Sequence, residues 1–134
     1  MTTRLGGCNY GAVRLEIRGE PIRVGLCHCT VCRKETGGPY LAFAVFPEAA
    51  VTVTGETRGW ADDFVHRHFC PTCGSRLFSV EGNGEVEIRL GCLDDAPTDL
   101  APTYENWVIH RERWLPEVPG AGQNERDWSD PPAT

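Results

Sequence analysis

The chain has 134 residues, 40% of them hydrophobic and 24% charged, with a formal net charge of −6. These are the proportions of an ordinary soluble globular protein, and 13 Lys and Arg scattered through an acidic chain offer no basic face to nucleic acid. No stretch approaches the ~18 apolar residues of a membrane helix, and the segment from Met1 to Cys8 holds no apolar run of signal-peptide length, so the expected location is the cytoplasm.

A chain of this length is most simply one domain, able to bury roughly two-thirds of the surface its unfolded form exposes. In chain order, Val13, Leu15 and Ile17 share one face of a first strand. Further strands are expected over Ile22 to Leu26, Leu41 to Phe46, Val51 to Thr54, Val65 to Phe69, Leu77 to Val80 and Trp107 to Ile109. Val86, Ile88 and Leu90 alternate with Glu85, Glu87 and Arg89 in one more, and Glu81 to Glu85, with Gly82, Asn83 and Gly84 at its centre, reads as the hairpin loop before it. Thr30 to Thr36 is the one helical segment, with Thr30 as its N-cap, stopped by Gly37, Gly38 and Pro39. The expected fold is mainly β, a compact domain of several antiparallel sheets with one short helix. It spans 1–115, and a Pro- and Gly-rich tail over 116–134 wraps the domain, pinned by Trp128.

Seven cysteines in such a chain point to metal ligands or reduced thiols rather than a disulfide framework. Cys27, Cys29 and Cys32 form C-x-C-x-x-C, and Cys70-Pro71-Thr72-Cys73-Gly74 follows after a gap of thirty-seven residues. In an extended segment Cys27 and Cys29 lie on one side, with His28 pointing away, and a turn brings Cys32 back to the same point. Three thiolates then meet one ion and leave a fourth position open. The second motif has the form of a zinc knuckle, with φ fixed by Pro71 and a tight turn permitted by Gly74. Spacing alone equally allows one closed ribbon of Cys29, Cys32, Cys70 and Cys73, with Cys8, Cys27 and Cys92 as small buried residues. A thioredoxin-like use of Cys29 and Cys32 lacks the surrounding βαβ pattern.

Three segments, Gly6 to Arg14 around Cys8, Cys27 to Arg33, and Phe69 to Ser75, resemble in order and spacing the glutathione-dependent formaldehyde-activating enzyme and centromere protein V family. Gly91 to Pro97 is similar to that family's Gly-Ser-Leu-Asp segment, with Cys92 at the serine, and the likeness runs from Gly6 to Trp114. The resemblance implies two zinc sites: Cys27, Cys29 and Cys32 on a catalytic ion, Cys8, Cys70 and Cys73 on a structural one. The family's further structural cysteine falls at Tyr10, a poor zinc ligand. Either His68 or Cys92 replaces it, or water does, or the site has lost zinc and Tyr10 fills the space; His68, two positions before Cys70, has the better geometry.

The implied activity is that of a carbon-sulfur lyase acting on a glutathione-type thiol adduct, such as S-(hydroxymethyl)glutathione. A small-molecule thiol is the expected partner, with neither nucleic acid nor membrane. The alternatives are a zinc-stabilised scaffold without turnover and a thiol-based sensor. Arg33, Arg58 and Arg89 read as solvated charges rather than substrate anchors, Asp94 and Asp95 as loop residues, and His110 as a packing residue.

Overall fold

The alternating segments become strands of two sheets in a computed structural model that describes residues 1–61 and 65–127. The smaller sheet joins β1 (Thr3–Gly7), β2 (Arg14–Arg18) and β5 (Val51–Thr54) in that order. The larger contains β3 (Arg23–Cys27), β4 (Leu41–Pro47), β6 (Arg58–Ala61), β7 (His66–Phe69), β8 (Arg76–Val80), β9 (Glu85–Arg89), β10 (Tyr104–Asn106) and β11 (Gly122–Gln123). Its spatial order is β11-β10-β3-β4-β9-β8-β7-β6, antiparallel except that β10 runs parallel to both β3 and β11.

Period-two alternation along β4 divides the interior. Ala44 and Phe46, both fully buried, face the small sheet and close the main core with Val13, Leu15, Ile17, Leu77, Val86 and Ile88. Leu41, Phe43 and Val45 face the opposite side and build a second, smaller core with Cys27, Cys32 and Tyr104. Register carries this second face outward, because Phe43 lies opposite Arg89, and Val45 and Ser79 both lie opposite Glu87. The polar side of β9 therefore faces protein, not water: Arg89 is buried and donates to Glu35 Oε1 at 2.7 Å and to Ser79 Oγ at 3.1 Å.

Helix α1 (Thr30–Thr36) occupies the expected span, but its N-cap is Cys29 rather than Thr30, because the Cys29 sulfur accepts the N–H of Cys32. Gly37, in the left-handed region at φ 74°, closes the other end by donating its N–H to the Arg33 carbonyl. No helix among the described residues is long and apolar enough to cross a membrane.

The expected strand at Trp107 to Ile109 is not one. Trp107 takes a left-handed backbone (φ 58°), a 3₁₀ turn covers Val108–His110, and the strand lies earlier, at β10. The cause is the tail: Trp107 and Val108 donate their N–H groups to the carbonyls of Arg126 and Asn124 at 3.0 and 3.1 Å. Farther back, Val118 N and Gln123 Nε2 both donate to Glu105 Oε2, at 2.9 and 2.8 Å. Trp128 lies outside the described residues. β1, β6 and β11 have no counterpart among the expected strands; each is short and rich in Gly, Thr, Arg or Gln, without an apolar alternation.

Candidate functional site

Cys27 ends β3, Cys29 caps α1 and Cys32 lies in its first turn, and the three sulfurs come within 4.8 Å of one another. A tetrahedral zinc ion with Zn–S bonds of about 2.3 Å holds its sulfurs about 3.8 Å apart, so the group is close to the spacing such an ion imposes. His28, between two of the thiols, turns the other way into the protein and meets Glu105 Oε1 at 2.8 Å through Nε2, both side chains buried. Sulfur–sulfur contact makes one negative charge easy to place and three hard. Hydrogen bonds from Cys27 and then Cys32 hold Cys29 far below the ordinary thiol range. Contact with Cys29 and then Cys32, together with burial, drives Cys27 far above it. For Cys32 the neighbouring Cys27 pulls downward, but the Cys29 thiolate and burial outweigh it and push the group up to about 12. A divalent cation removes this competition by neutralising all three, so the donor set fits a thiophilic metal.

Cys8, Cys70 and Cys73 form a second three-sulfur group, again within 4.8 Å. Two turns aim amide groups at the sulfurs: Val13 N donates to Cys8 Sγ at 3.3 Å and Thr72 N to Cys70 Sγ at 3.4 Å. Gly74, at φ 78°, closes the knuckle by donating its N–H to the Cys70 carbonyl at 2.8 Å. Cys73 is exposed, and the Ser75 hydroxyl, then the backbone N–H groups of Ser75 and Tyr10, bring its thiol down to about 6.

Among the described residues, the single ribbon is overturned, since the two motifs contribute to separate sulfur groups. Neither candidate for a fourth ligand joins the second group. His68 bonds Thr57 Oγ1 through Nδ1 at 3.1 Å and stacks on Phe78 at 4.6 Å between ring centres. Cys92 donates weakly to the Leu77 carbonyl at 3.5 Å, and burial pushes its thiol up to about 12. The Tyr10 side chain is 71% exposed, so it does not fill the space.

The first group opens into a cavity of about 420 Å³, within the range of small-molecule sites. Beside the three cysteines its walls carry Arg23, Arg67, Ser79, Glu81, Asn83, Glu87, Tyr104, Asn106 and Asp127. Arg23, Arg67, Ser79 and Glu87 escape the sequence reading because they occupy the polar positions of strands, which periodicity assigns to solvent, and the others lie in loops, the tail or β10, where no alternation marks them. The Glu85-Val86-Glu87-Ile88-Arg89 run is the one available signal, as three charges on one strand face are unusually dense. Arg89 is a correction: the reading of a solvated charge fails because Glu35 draws it inside. Arg33 donates to the His110 carbonyl at 2.8 Å, Arg58 lies on exposed β6, and His110 stacks on Trp107. Asp94 pairs with Arg14, and Asp95 lines a separate 240 Å³ cavity with Arg4 and Asp99.

Fold and site together define a mainly β protein with two cysteine groups able to hold metal, one of them facing a chambered cavity. A sequence profile of the glutathione-dependent formaldehyde-activating enzyme family matches residues 3–110, and the chain belongs to that family. It is 30% identical over 81 residues, 60% of its length, to an uncharacterized lyase of Schizosaccharomyces pombe, and covers 59% of that protein. It is 31% identical over 83 residues, 54% of its length, to a protein of Halomonas elongata named as a putative glutathione-dependent formaldehyde-activating enzyme, and covers 53% of it. The chain thus spans less than two-thirds of either relative. A crystal structure of a Rhodobacter sphaeroides protein shares the fold, with TM-score 0.58 and 20% identity over 76% of this chain and 99% of that one.

Proposed function

We propose that this chain is a cytoplasmic zinc-dependent carbon-sulfur lyase-like enzyme that joins and parts a glutathione-type thiol and formaldehyde. Cys27, Cys29 and Cys32 are the ligands of its catalytic zinc, and Cys8, Cys70 and Cys73 belong to a structural site. Residues 1–115 make the zinc domain and 116–134 the tail wrapped around it. One observation carries the reading: of two similar thiol groups, only the first lines the cavity.

Zinc on the first group supplies an open ligand position and lowers the pKa of a thiol that arrives there. The protein does the rest. α1 and β3 hold the three sulfurs on one side, and Glu105 keeps His28 out of the ligand set. The cavity carries both signs of charge, with Arg23 and Arg67 against Glu81, Glu87 and Asp127. Such walls suit a zwitterionic thiol, whose carboxylates and ammonium each meet an opposite charge. Tyr104 and Phe43 supply the apolar wall that limits water around the reacting carbon.

The test is metal analysis with thiol titration. Wild type is expected to bind two zinc ions per chain and to bind glutathione. Cys29→Ser should lose one zinc and the thiol together, while Cys73→Ser keeps thiol binding. Retention of glutathione binding by Cys29→Ser that has lost one zinc would refute the assignment.

A further inference from the structure

Glu87 stands where the proposed reaction needs a proton carrier. β9 places it on the cavity face of the large sheet, opposite Val45 and Ser79, in the same chamber as Cys27, Cys29 and Cys32. Its side chain is 24% exposed, so it reaches the chamber without being bathed in bulk water. The loop after β8 brings Glu81 into the same chamber, a second carboxylate whose charge opposes the ionisation of Glu87. Countercharges are present but distant or otherwise engaged. Arg89 Nη1 is 3.8 Å from Glu87 Oε1, while its Nη2 is held by Glu35 at 2.7 Å. Arg67 pairs with Glu35 at 3.7 Å, and Arg23 with Glu85 at 2.8 Å. Two further titratable residues line the chamber: Asp127, which accepts from Trp107 Nε1 at 2.8 Å, and Tyr104 from β10, its phenol pushed up to about 12 by burial and so neutral.

We propose that Glu87 is the proton-transfer residue of this site, taking the proton of the incoming thiol and returning it to the aldehyde oxygen. This rests on the reading above. In the forward direction the thiol proton passes to the Glu87 carboxylate, the sulfur pair forms the C–S bond, the carbonyl π pair moves onto oxygen, and Glu87 delivers the proton there. The reverse begins with the same carboxylate, which takes the hydroxyl proton as the C–S bond breaks and gives it to the departing sulfur. Nothing is oxidised or reduced and no further reactant is consumed. Burial first, and then the Glu81 charge, raise the Glu87 carboxyl to about 7, against the opposing pull of Arg89. That places it near the affinity best suited to a two-way proton carrier at neutral pH.

The experiment compares zinc-loaded wild type, Glu87→Gln, Glu87→Asp and Glu81→Gln for glutathione affinity, for kcat against pH with glutathione and formaldehyde, and for carboxyl protonation by infrared titration. Wild type should show kcat rising through pH about 7, and a protonated-carboxyl band that disappears over the same range. Glu87→Gln should lose that band and the pH limb, with kcat at saturating glutathione down about 100-fold or more and zinc content unchanged. Glu87→Asp should recover part of the rate, and Glu81→Gln should move both limb and band to lower pH. Glu87→Gln that turns over at the wild-type rate with the limb intact overturns the role of Glu87 and leaves the parent reading standing. Wild type that holds zinc but neither binds nor turns over the thiol overturns both.

Discussion

At the scale of single residues, spacing marked the cysteines as ligand candidates but left a single ribbon equally open, and the family resemblance was what divided them into two groups. Cys27, Cys29 and Cys32 meet through one strand end and one helix cap, so their convergence needs no long-range knowledge. Glu105 was illegible for the opposite reason. Its partners come from sequence positions 28, 111, 118 and 123, and a buried carboxylate between Tyr104 and Asn106 carries no pattern. Burial acts to raise its carboxyl, but Gln123, the Val118 N–H, His28 and Arg111 outweigh it and hold the group below the ordinary value. A folded pKa below the unfolded one means stability present above pH ~4.3 and lost as pH falls through the lowered folded value. Glu105→Gln should therefore cost about 3 kcal/mol at neutral pH. Thermal melts against pH check both parts: the gap between wild type and variant should be wide at pH 7 and close in acid.

At the scale of elements, strands with an apolar alternation were readable and those built from polar residues were not. β2, β4, β8 and β9 fall at or within two residues of their expected bounds. β10 reads Tyr-Glu-Asn with all three residues buried, because a charged hub replaces the usual apolar filling. Its position depends on Gly25, its neighbour on β3. A Cβ there would lie 2.6 Å from Tyr104 Cζ, so the ring rests directly on the glycine backbone. Gly25→Ala should cost roughly 1–3 kcal/mol through overpacking, and Tyr104→Leu in that background should return part of the loss, as chemical denaturation would show. The tail is a second element whose role sequence hides, since Gly122 and Gln123 become a strand only because β10 offers a free edge. Ending the chain after Pro116 removes the Val118, Gln123 and Asn124 bonds to β10. The melting temperature should fall, and amide exchange should speed up first in Tyr104–Asn106; exchange unchanged there would mean the tail contributes nothing.

At the scale of the whole molecule, one large sheet separates two tasks. The face toward the small sheet holds the main core and reaches Cys8 and Cys70, whereas the other face holds the smaller core with Cys27 and Cys32. Metal loss should have different consequences on the two sides. A metal ion held by the second group would tie two distant turns together, so on the proposed reading Cys73→Ser should lower folding stability, whereas Cys29→Ser should leave the melt closer to wild type while ending thiol binding. The two-group scheme came from the family resemblance, and the cavity from neither resemblance nor motif, since a chamber walled by Arg67, Glu81, Glu87 and Tyr104 exists only after β7, β8, β9 and β10 are arranged in one sheet with β3 and β4. The most direct measurement is zinc-edge X-ray absorption of the zinc-loaded protein before and after saturating glutathione. The account predicts one added sulfur neighbour per chain in wild type and none in Cys29→Ser; a wild-type spectrum unchanged by glutathione would contradict it.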